Sequence, residues 1–356
     1  MAATTPADSS AVRVVVFGLG GTIAMTTADT GGVTPTLSPK QLLDAVPGLD
    51  ALDVDLDIVA FRSRPGASVT FDDVTELAAA IRGRLTSGAA GVVVTQGTDT
   101  IEETAYLLDL LHDQPQPVVV TGAMRNPTLA GADGPANLLA AVEVAASPDM
   151  RNLGCLVVFA DEIHAAARVR KTHSTSPATF ASPNGGPLGY LIEGTPTVIV
   201  RRLARHIIPT PPASAPLPRV GIYTATLGDD GALISAVSAS LDGLVVAGFG
   251  AGHVPDSWLD VLTELAVRIP VVLASRTGAG PVLTGTYGFP GSERDLIARG
   301  LVPAGLLDPY KARVLLTLAI AAGADRGTLA AAVHAAGSVS GTASWPWPSP
   351  GTAADR

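Results

Sequence analysis

"VVVTQGTDTIEETAYLL", residues 92–108, decides how this chain is read. An unbroken apolar run stops at Gly97, two polar residues follow, and a helical pattern begins. A short, continuously apolar run fits a strand buried on both faces, which is the strand of a parallel sheet covered by helices. Thr100 and Glu103 have the Thr-x-x-Glu spacing of a capping box, so the helix is expected to start there. Thr98 and Asp99 then sit one step outside the cap, near free amides and a positive helix end, where a polar substrate or a developing oxyanion can be held. Taken alone, Asp99 reads more readily as an extra N-cap.

The same strand signature recurs at 13–18, 117–122, 154–160, 243–250 and 270–276. Helical spacing appears between several of these runs, as in Val74, Leu77, Ala78, Ile81 and Leu85. The alternation predicts an α/β fold with mostly parallel sheets. Residues 207–218, "IIPTPPASAPLP", break it, because proline lacks an amide donor and pushes its predecessor toward extended geometry. The expected organisation is a larger N-terminal catalytic domain over 1–206, a linker over 207–218 and a smaller C-terminal α/β domain over 219–356. Its tail from about 344, with paired tryptophans, is expected to be irregular and loosely packed.

The chain has 356 residues, 47% of them hydrophobic, enough for a large core. Its formal charge of -9 argues against a polyanionic partner, so nucleic acid is excluded. Cys155 is the sole cysteine, so no internal disulfide forms, which suits a reducing compartment. The start, "MAATTPADSSAVRVVVFG", has no basic n-region or long apolar h-region, and no apolar stretch is long enough to span a membrane. The expectation is a cytoplasmic protein with no membrane partner.

A second strand end reads "VVVFGLGGTIAM" (14–25). Gly18 and Gly20 begin a dinucleotide fingerprint, but Ile23 stands where its third glycine is needed. Gly20 and Gly21 instead allow a sharp turn and a close backbone approach, leaving the Thr22 hydroxyl at the mouth of the sheet. That hydroxyl is also readable as one that satisfies a turn. Lys171 lies in a polar segment rich in turn formers, where the ordinary reading is a solvated charge. Held beside a threonine and an aspartate, a lysine can stabilise a deprotonated hydroxyl or shuttle a proton.

"GGTIA" (20–24), "GTDTIEETAYLL" (97–108), "TGAMRNP" with "GADGPANLLAA" (121–127, 131–141), Lys171 with "SPNGGPLGY" (182–190), and "LDPYKARVLLTLAI" (307–320) together resemble the bacterial-type L-asparaginase family. The resemblance spans most of the chain in the family order, and the two threonine motifs together make it specific. It implies hydrolysis of the asparagine side-chain amide through a threonine acyl-enzyme, with no metal or organic cofactor. The implied partner is a small molecule, asparagine or glutamine, and the implied assembly a homodimer or homotetramer. Carried over, Thr22 is the nucleophile, Thr98 with Lys171 handles protons, and Asp99 holds the substrate ammonium. Arg125, Asp133 and Asn137 match positions read as structural, in a loop tied by an Arg–Asp pair.

The sequence also departs from the family pattern. Residues 25–40 lack the tyrosine that assists the first threonine, which leaves Tyr287 as a candidate substitute. Gly66-Ala67-Ser68 replaces a Gly-Ser-Gln turn that holds the substrate carboxylate, and Ser68 keeps a hydroxyl donor. Gln96 replaces a histidine, and the C-terminal asparagine-rich turn reads "GAGHVP" (250–255). His253 is then either a contact to substrate across a subunit boundary or an ordinary turn histidine. Asparagine and glutamine differ by one methylene, so specificity stays open between an asparaginase, a glutaminase or amidotransferase subunit, and a non-catalytic amino-acid-binding regulator on the same scaffold.

Overall fold

A computed structural model describes residues 11–21, 25–27, 33–35, 39–202, 204–212, 215–338 and 343–348. In the N-terminal half the elements run β1 (Val12–Gly18), β2 (Met25–Thr27), β3 (Val33–Pro35), α1 (Pro39–Asp44), β4 (Val54–Ala60), α2 (Phe71–Thr86), β5 (Gly91–Thr95), α3 (Ile101–Leu111), β6 (Val118–Thr121), α4 (Gly134–Ala146), β7 (Cys155–Phe159), β8 (Glu162–Ala165), β9 (Arg170–Lys171), β10 (Phe180–Ala181), β11 (Gly189–Ile192) and β12 (Thr195–Val198). The C-terminal half continues with β13 (Val220–Thr224), α5 (Ala232–Val237), β14 (Gly243–Gly248), α6 (Leu259–Arg268), β15 (Val271–Ser275), α7 (Glu293–Ala298), β16 (Val302–Pro303), α8 (Pro309–Ala321) and α9 (Arg326–Gly337).

Eight strands form one sheet in the order β12-β11-β8-β7-β6-β5-β1-β4. The β4-β1-β5-β6-β7 part is parallel, while β7-β8, β8-β11 and β11-β12 are antiparallel. A separate four-stranded sheet, β13-β14-β15-β16, is wholly parallel. The α/β architecture with a larger N-terminal and a smaller C-terminal sheet is therefore present. Strands β5, β6, β7, β14 and β15 are buried along their whole length, which is why they read as unbroken apolar runs.

One core holds the two halves together. Helices α3 and α8 meet in a cluster that includes Ile101, Tyr106 and Leu108 from α3, and Val314, Leu315 and Leu318 from α8. α4 covers the opposite face of the larger sheet, and α6 covers that of the smaller one. Helix α2 buries Val74, Leu77, Ile81 and Leu85, as their spacing predicts, and is capped by a Thr70–Asp73 capping box.

The described tail residues, 343–348, form no helix or strand, but their tryptophans are packed rather than loose. Trp345 stacks on His206 at 4.4 Å between ring centroids, and its Nε1 donates to the Ile207 carbonyl at 2.8 Å. Trp347 lies 5.2 Å from the Trp345 ring. Rings with a polar handle find a partner when they pack, and here the partner is the segment between the two sheets.

Candidate active site

Three segments converge at the carboxyl end of the larger parallel sheet. After β1, the Leu19 amide donates to the Thr95 carbonyl at 2.9 Å, and the Arg64 amide donates to the Leu19 carbonyl at 2.8 Å. These bonds draw the Gly20-Gly21 turn, the end of β5 and the approach to Gly66 into one place. Gly21 has φ +95, and a Cβ added there would lie 2.1 Å from the Gly97 amide nitrogen. A Cβ on Gly66 would lie 2.8 Å from the Gly97 carbonyl oxygen. Only glycines permit backbones to touch in this way. Thr22 follows Gly21 directly in the chain and lies outside the described residues.

The 92–108 stretch folds as strand, turn and helix. β5 ends at Thr95, Thr98–Thr100 form a 3-10 turn, and α3 begins at Ile101. The expected capping box is absent: the Thr100 side chain makes no cap hydrogen bond. Its Oγ1 donates instead to the Gly66 carbonyl at 2.9 Å. The intervening 3-10 turn moves Thr100 off the cap and lets it fasten the Gly66-Ala67-Ser68 turn to the Thr98–Thr100 turn. Ala67 and Ser68 are both exposed on that turn, and the Ser68 amide donates to the Pro65 carbonyl at 2.9 Å. Gln96 is fully buried, and its Nε2 lies 3.3 Å from the Gly97 carbonyl and 3.4 Å from Thr100 Oγ1.

Lys171, 73 positions beyond Thr98, donates from Nζ to Thr98 Oγ1 at 2.8 Å and lies 3.5 Å from Asp99 Oδ1. Thr98 is buried, and the Lys171 side chain is 16% exposed. The Asp99 side chain is 60% exposed, so its carboxylate faces outward while the pair behind it is enclosed. An ammonium held against a hydroxyl favours the alkoxide form of that hydroxyl, and an open carboxylate beside it suits a cationic ligand group.

The next strand end is fixed by its loop. The Asp133 carboxylate accepts from the amides of Met124 at 2.9 Å and Arg125 at 2.8 Å. Asn137 donates from Nδ2 to the Gly122 carbonyl and accepts at Oδ1 from the Ala160 amide, both at 3.0 Å. The loop is thus tied, but by backbone amides rather than by the expected Arg–Asp pair, since the Arg125 guanidinium donates to the Gly131 carbonyl at 3.1 Å.

His253 and Tyr287 lie at the carboxyl end of the smaller sheet. Their rings meet edge to face at 4.8 Å, with Phe289 5.0 Å from His253, and His253 Nε2 lies 3.3 Å from Glu293 Oε2. Among the described residues neither hydrogen-bonds to Thr98, Asp99 or Lys171. No group of three or more His, Cys, Asp or Glu suited to a metal occurs among the described residues.

Sequence reading missed the charged set behind the site. Lys311 and Glu102 are buried, and Asp308 and Arg170 are largely enclosed beside them. Burial pushes the Glu102 carboxyl above its ordinary value, with the Lys311 ammonium opposing. The one signal was "LDPYKAR", quoted for its resemblance and not for its charge.

Comparison with known proteins places these features in company. The sequence pattern described as "Asparaginase, N-terminal" matches residues 13–203, and "Glutaminase/Asparaginase C-terminal domain" matches 219–332. A probable L-asparaginase of Deinococcus radiodurans is 38% identical over 323 residues, which cover 89% of this chain and 96% of that protein. A probable periplasmic L-asparaginase of Haemophilus influenzae is 36% identical over 86% of this chain and 88% of its own. The crystal structure of a probable cytoplasmic L-asparaginase from Campylobacter jejuni superposes with a TM-score of 0.76 at 34% identity, covering 86% of this chain and 94% of that one.

Proposed function

The chain belongs to the asparaginase family, and on that premise we propose that it is an L-asparaginase, an amidohydrolase releasing ammonia and aspartate from asparagine. The observation that carries the reading is the enclosed 2.8 Å hydrogen bond from Lys171 to Thr98, beside an exposed Asp99. Asp99 receives the substrate ammonium, and the Gly66–Ser68 turn, with Ala67 and Ser68 at its surface, receives the substrate carboxylate. Thr22 Oγ attacks the side-chain carbonyl carbon, forming an ester as the amide nitrogen leaves with a proton as ammonia. Water then adds to the ester, and aspartate departs as the Thr22 hydroxyl is restored. Thr98 and Lys171 move the protons, since an unassisted hydroxyl is a poor nucleophile and a poor leaving group.

Tyr287 keeps its candidacy as the group that activates Thr22. Its ring packs on His253 and Phe289, and the role is open to presentation from the C-terminal region or from a partner subunit. The finer readings are a homodimer or homotetramer, a cytoplasmic location, and a division into 1–206 and 219–356 joined by 207–218. Among the described residues no helix is long and apolar enough to cross a membrane. The relatives' own names divide between cytoplasm and periplasm, so location is tested by fractionating cells.

The test is ammonia release by the purified chain on L-asparagine, L-glutamine and their D-isomers. L-asparagine is expected to be the best substrate, with activity lost in Thr22→Ala. Tight asparagine binding without ammonia overturns the reading, and activity on glutamine alone reassigns the substrate. Tyr287→Phe should leave stability within about 0.5 kcal/mol, as for an exposed side chain. Unchanged turnover in that variant removes Tyr287 from the mechanism.

A further inference from the structure

We infer that Lys311, on a helix of the C-terminal half, is a positioning residue that sets where Lys171 stands against Thr98; the inference rests on the functional reading above. The strand that carries Lys171 is weakly defined by itself. β9 is two residues long and pairs with the two residues of β10, Lys171 opposite Phe180 and Arg170 opposite Ala181. Something else must fix the approach of the chain to the site.

Two residues before Lys171, the Val169 carbonyl accepts a 2.6 Å hydrogen bond from Lys311 Nζ, across 142 positions of sequence. The same ammonium donates to Asp308 Oδ2 at 2.9 Å. Asp308 caps α8 by accepting from the Tyr310 and Lys311 amides, which ties the ammonium rigidly to its helix. Lys311 Nζ also lies 3.9 Å from Glu102 Oε2, and Glu102 stands three residues beyond Asp99 on the helix that Thr98 leads into. Glu102 in turn lies 3.9 Å from Arg170 Nε, the residue next to Lys171. One buried charge therefore addresses both sides of the Lys171–Thr98 contact: the chain that delivers the lysine, and the helix start that delivers the threonine.

A fully buried ammonium is a poor choice for stability alone, since its desolvation commonly offsets what its ion pairs contribute. Its attachments, a carbonyl next to the site, a helix cap and a carboxylate on the helix behind the site, suit registration of two elements. Proton transfer is steep in geometry, so a shift of about 1 Å in the lysine costs about 10²-fold.

The experiment uses the full chain. Lys311→Met combined with Glu102→Gln removes the ammonium together with the buried carboxylate whose Oε2 has no hydrogen-bond partner among the described residues, while Asp308 keeps its cap bonds to the amides of residues 310 and 311. Ammonia release from L-asparagine is measured per folded molecule, with folding scored by circular dichroism. The expected result is a fall in kcat of about 10-fold or more with KM changed by less than about two-fold, and no further loss when the pair is introduced into Lys171→Met. A parent-like kcat overturns the inference, as does a loss that multiplies onto that of Lys171→Met. Should the double variant not fold, Lys311→Arg keeps the charge but relocates the donor from Val169, and it is read the same way. A wild-type chain that releases no ammonia overturns the functional reading and this inference with it. An active wild type with an indifferent Lys311 overturns this inference alone.

Discussion

Two strand ends in this molecule are written alike and behave differently. β5 leads into Gly97-Thr98-Asp99, and β14 leads into Phe249-Gly250-Ala251-Gly252-His253. Each is a fully buried parallel strand followed by glycine and polar residues. At the β14 end backbone bonds take up most of the polar groups, though His253 Nε2 and Glu293 Oε2, 3.3 Å apart, keep no hydrogen-bond partner among the described residues. Phe249 and His253 exchange backbone hydrogen bonds of 2.8 and 2.9 Å, and Glu293 accepts from the amides of Thr286 at 2.9 Å and Tyr287 at 2.7 Å. Burial pushes the Glu293 carboxyl up, but those amides, with its own and His253, outweigh it and hold it below its ordinary value. At the β5 end Lys171 and Thr98 are enclosed while Asp99 stays 60% exposed. A carboxyl end of a parallel sheet becomes a reactive site when enclosed polar atoms stand beside a group that stays open to a ligand.

The difference can be broken from either side. The largest effect is expected from Lys171→Met, which should lower kcat for ammonia release by about 10²–10⁴-fold, the range that placed proton transfer supplies. Asp99→Asn comes next: losing a charge-assisted contact worth about 1.5–3 kcal/mol should raise KM by roughly 10- to 100-fold and change kcat less. At the other strand end, Glu293→Gln should cost about 1–3 kcal/mol of stability in denaturant titration, because two amides lose a charged acceptor, while kcat per folded molecule holds. A variant at 293 that cuts kcat with stability intact would erase the contrast between the two ends.

The effect most remote from catalysis concerns pH and the framework common to both ends. Burial pushes His112 and His164 down from 6.5 to about 4, so the folded protein holds both neutral above that value. Unfolded imidazoles take up protons as pH falls through 6.5, so the unfolded state binds more protons in that window. Stability contributed by these histidines is complete above pH 6.5 and declines as pH falls toward 4. Glu102 and Glu103, raised by burial, gain protons in the folded state and oppose the decline. Replacing His164 by Gln should flatten the fall in unfolding free energy between pH 6.5 and 4, by at most about 1.4 kcal/mol per pH unit. An unchanged slope would mean that this imidazole is not held neutral.

The two ends also measure what the sequence made legible. β5, β6, β7, β14 and β15 were readable because burial on both faces leaves no polar interruption. β4 was not: it lies at the sheet edge, and "VDLDIVA" alternates Asp55 and Asp57 with partly buried Leu56 and Ile58. The β11–β12 hairpin was missed as well, since its turn is Glu193-Gly194, where Glu193 takes φ 50, a conformation that sequence does not advertise for glutamate. The threonine motifs were readable as strand ends with free polar groups. That Lys171 would cross 72 residues to meet Asp99 came from the resemblance and not from any local pattern. The Thr100 cap was misread because its hydroxyl serves the Gly66 carbonyl, a partner 34 positions away. Lys311 escaped notice for the same reason, since a lysine reads as a surface charge until the fold encloses it.

The central claim is that Lys171 and Thr98 work as one unit. A double-mutant cycle tests it most directly, with kcat for ammonia release from L-asparagine measured in Thr98→Ala, Lys171→Met and the two combined. The account predicts that the combined variant is no slower than the slower single one, because either change alone already disables the pair. Losses that multiply, each residue contributing its full factor in the absence of the other, would contradict it.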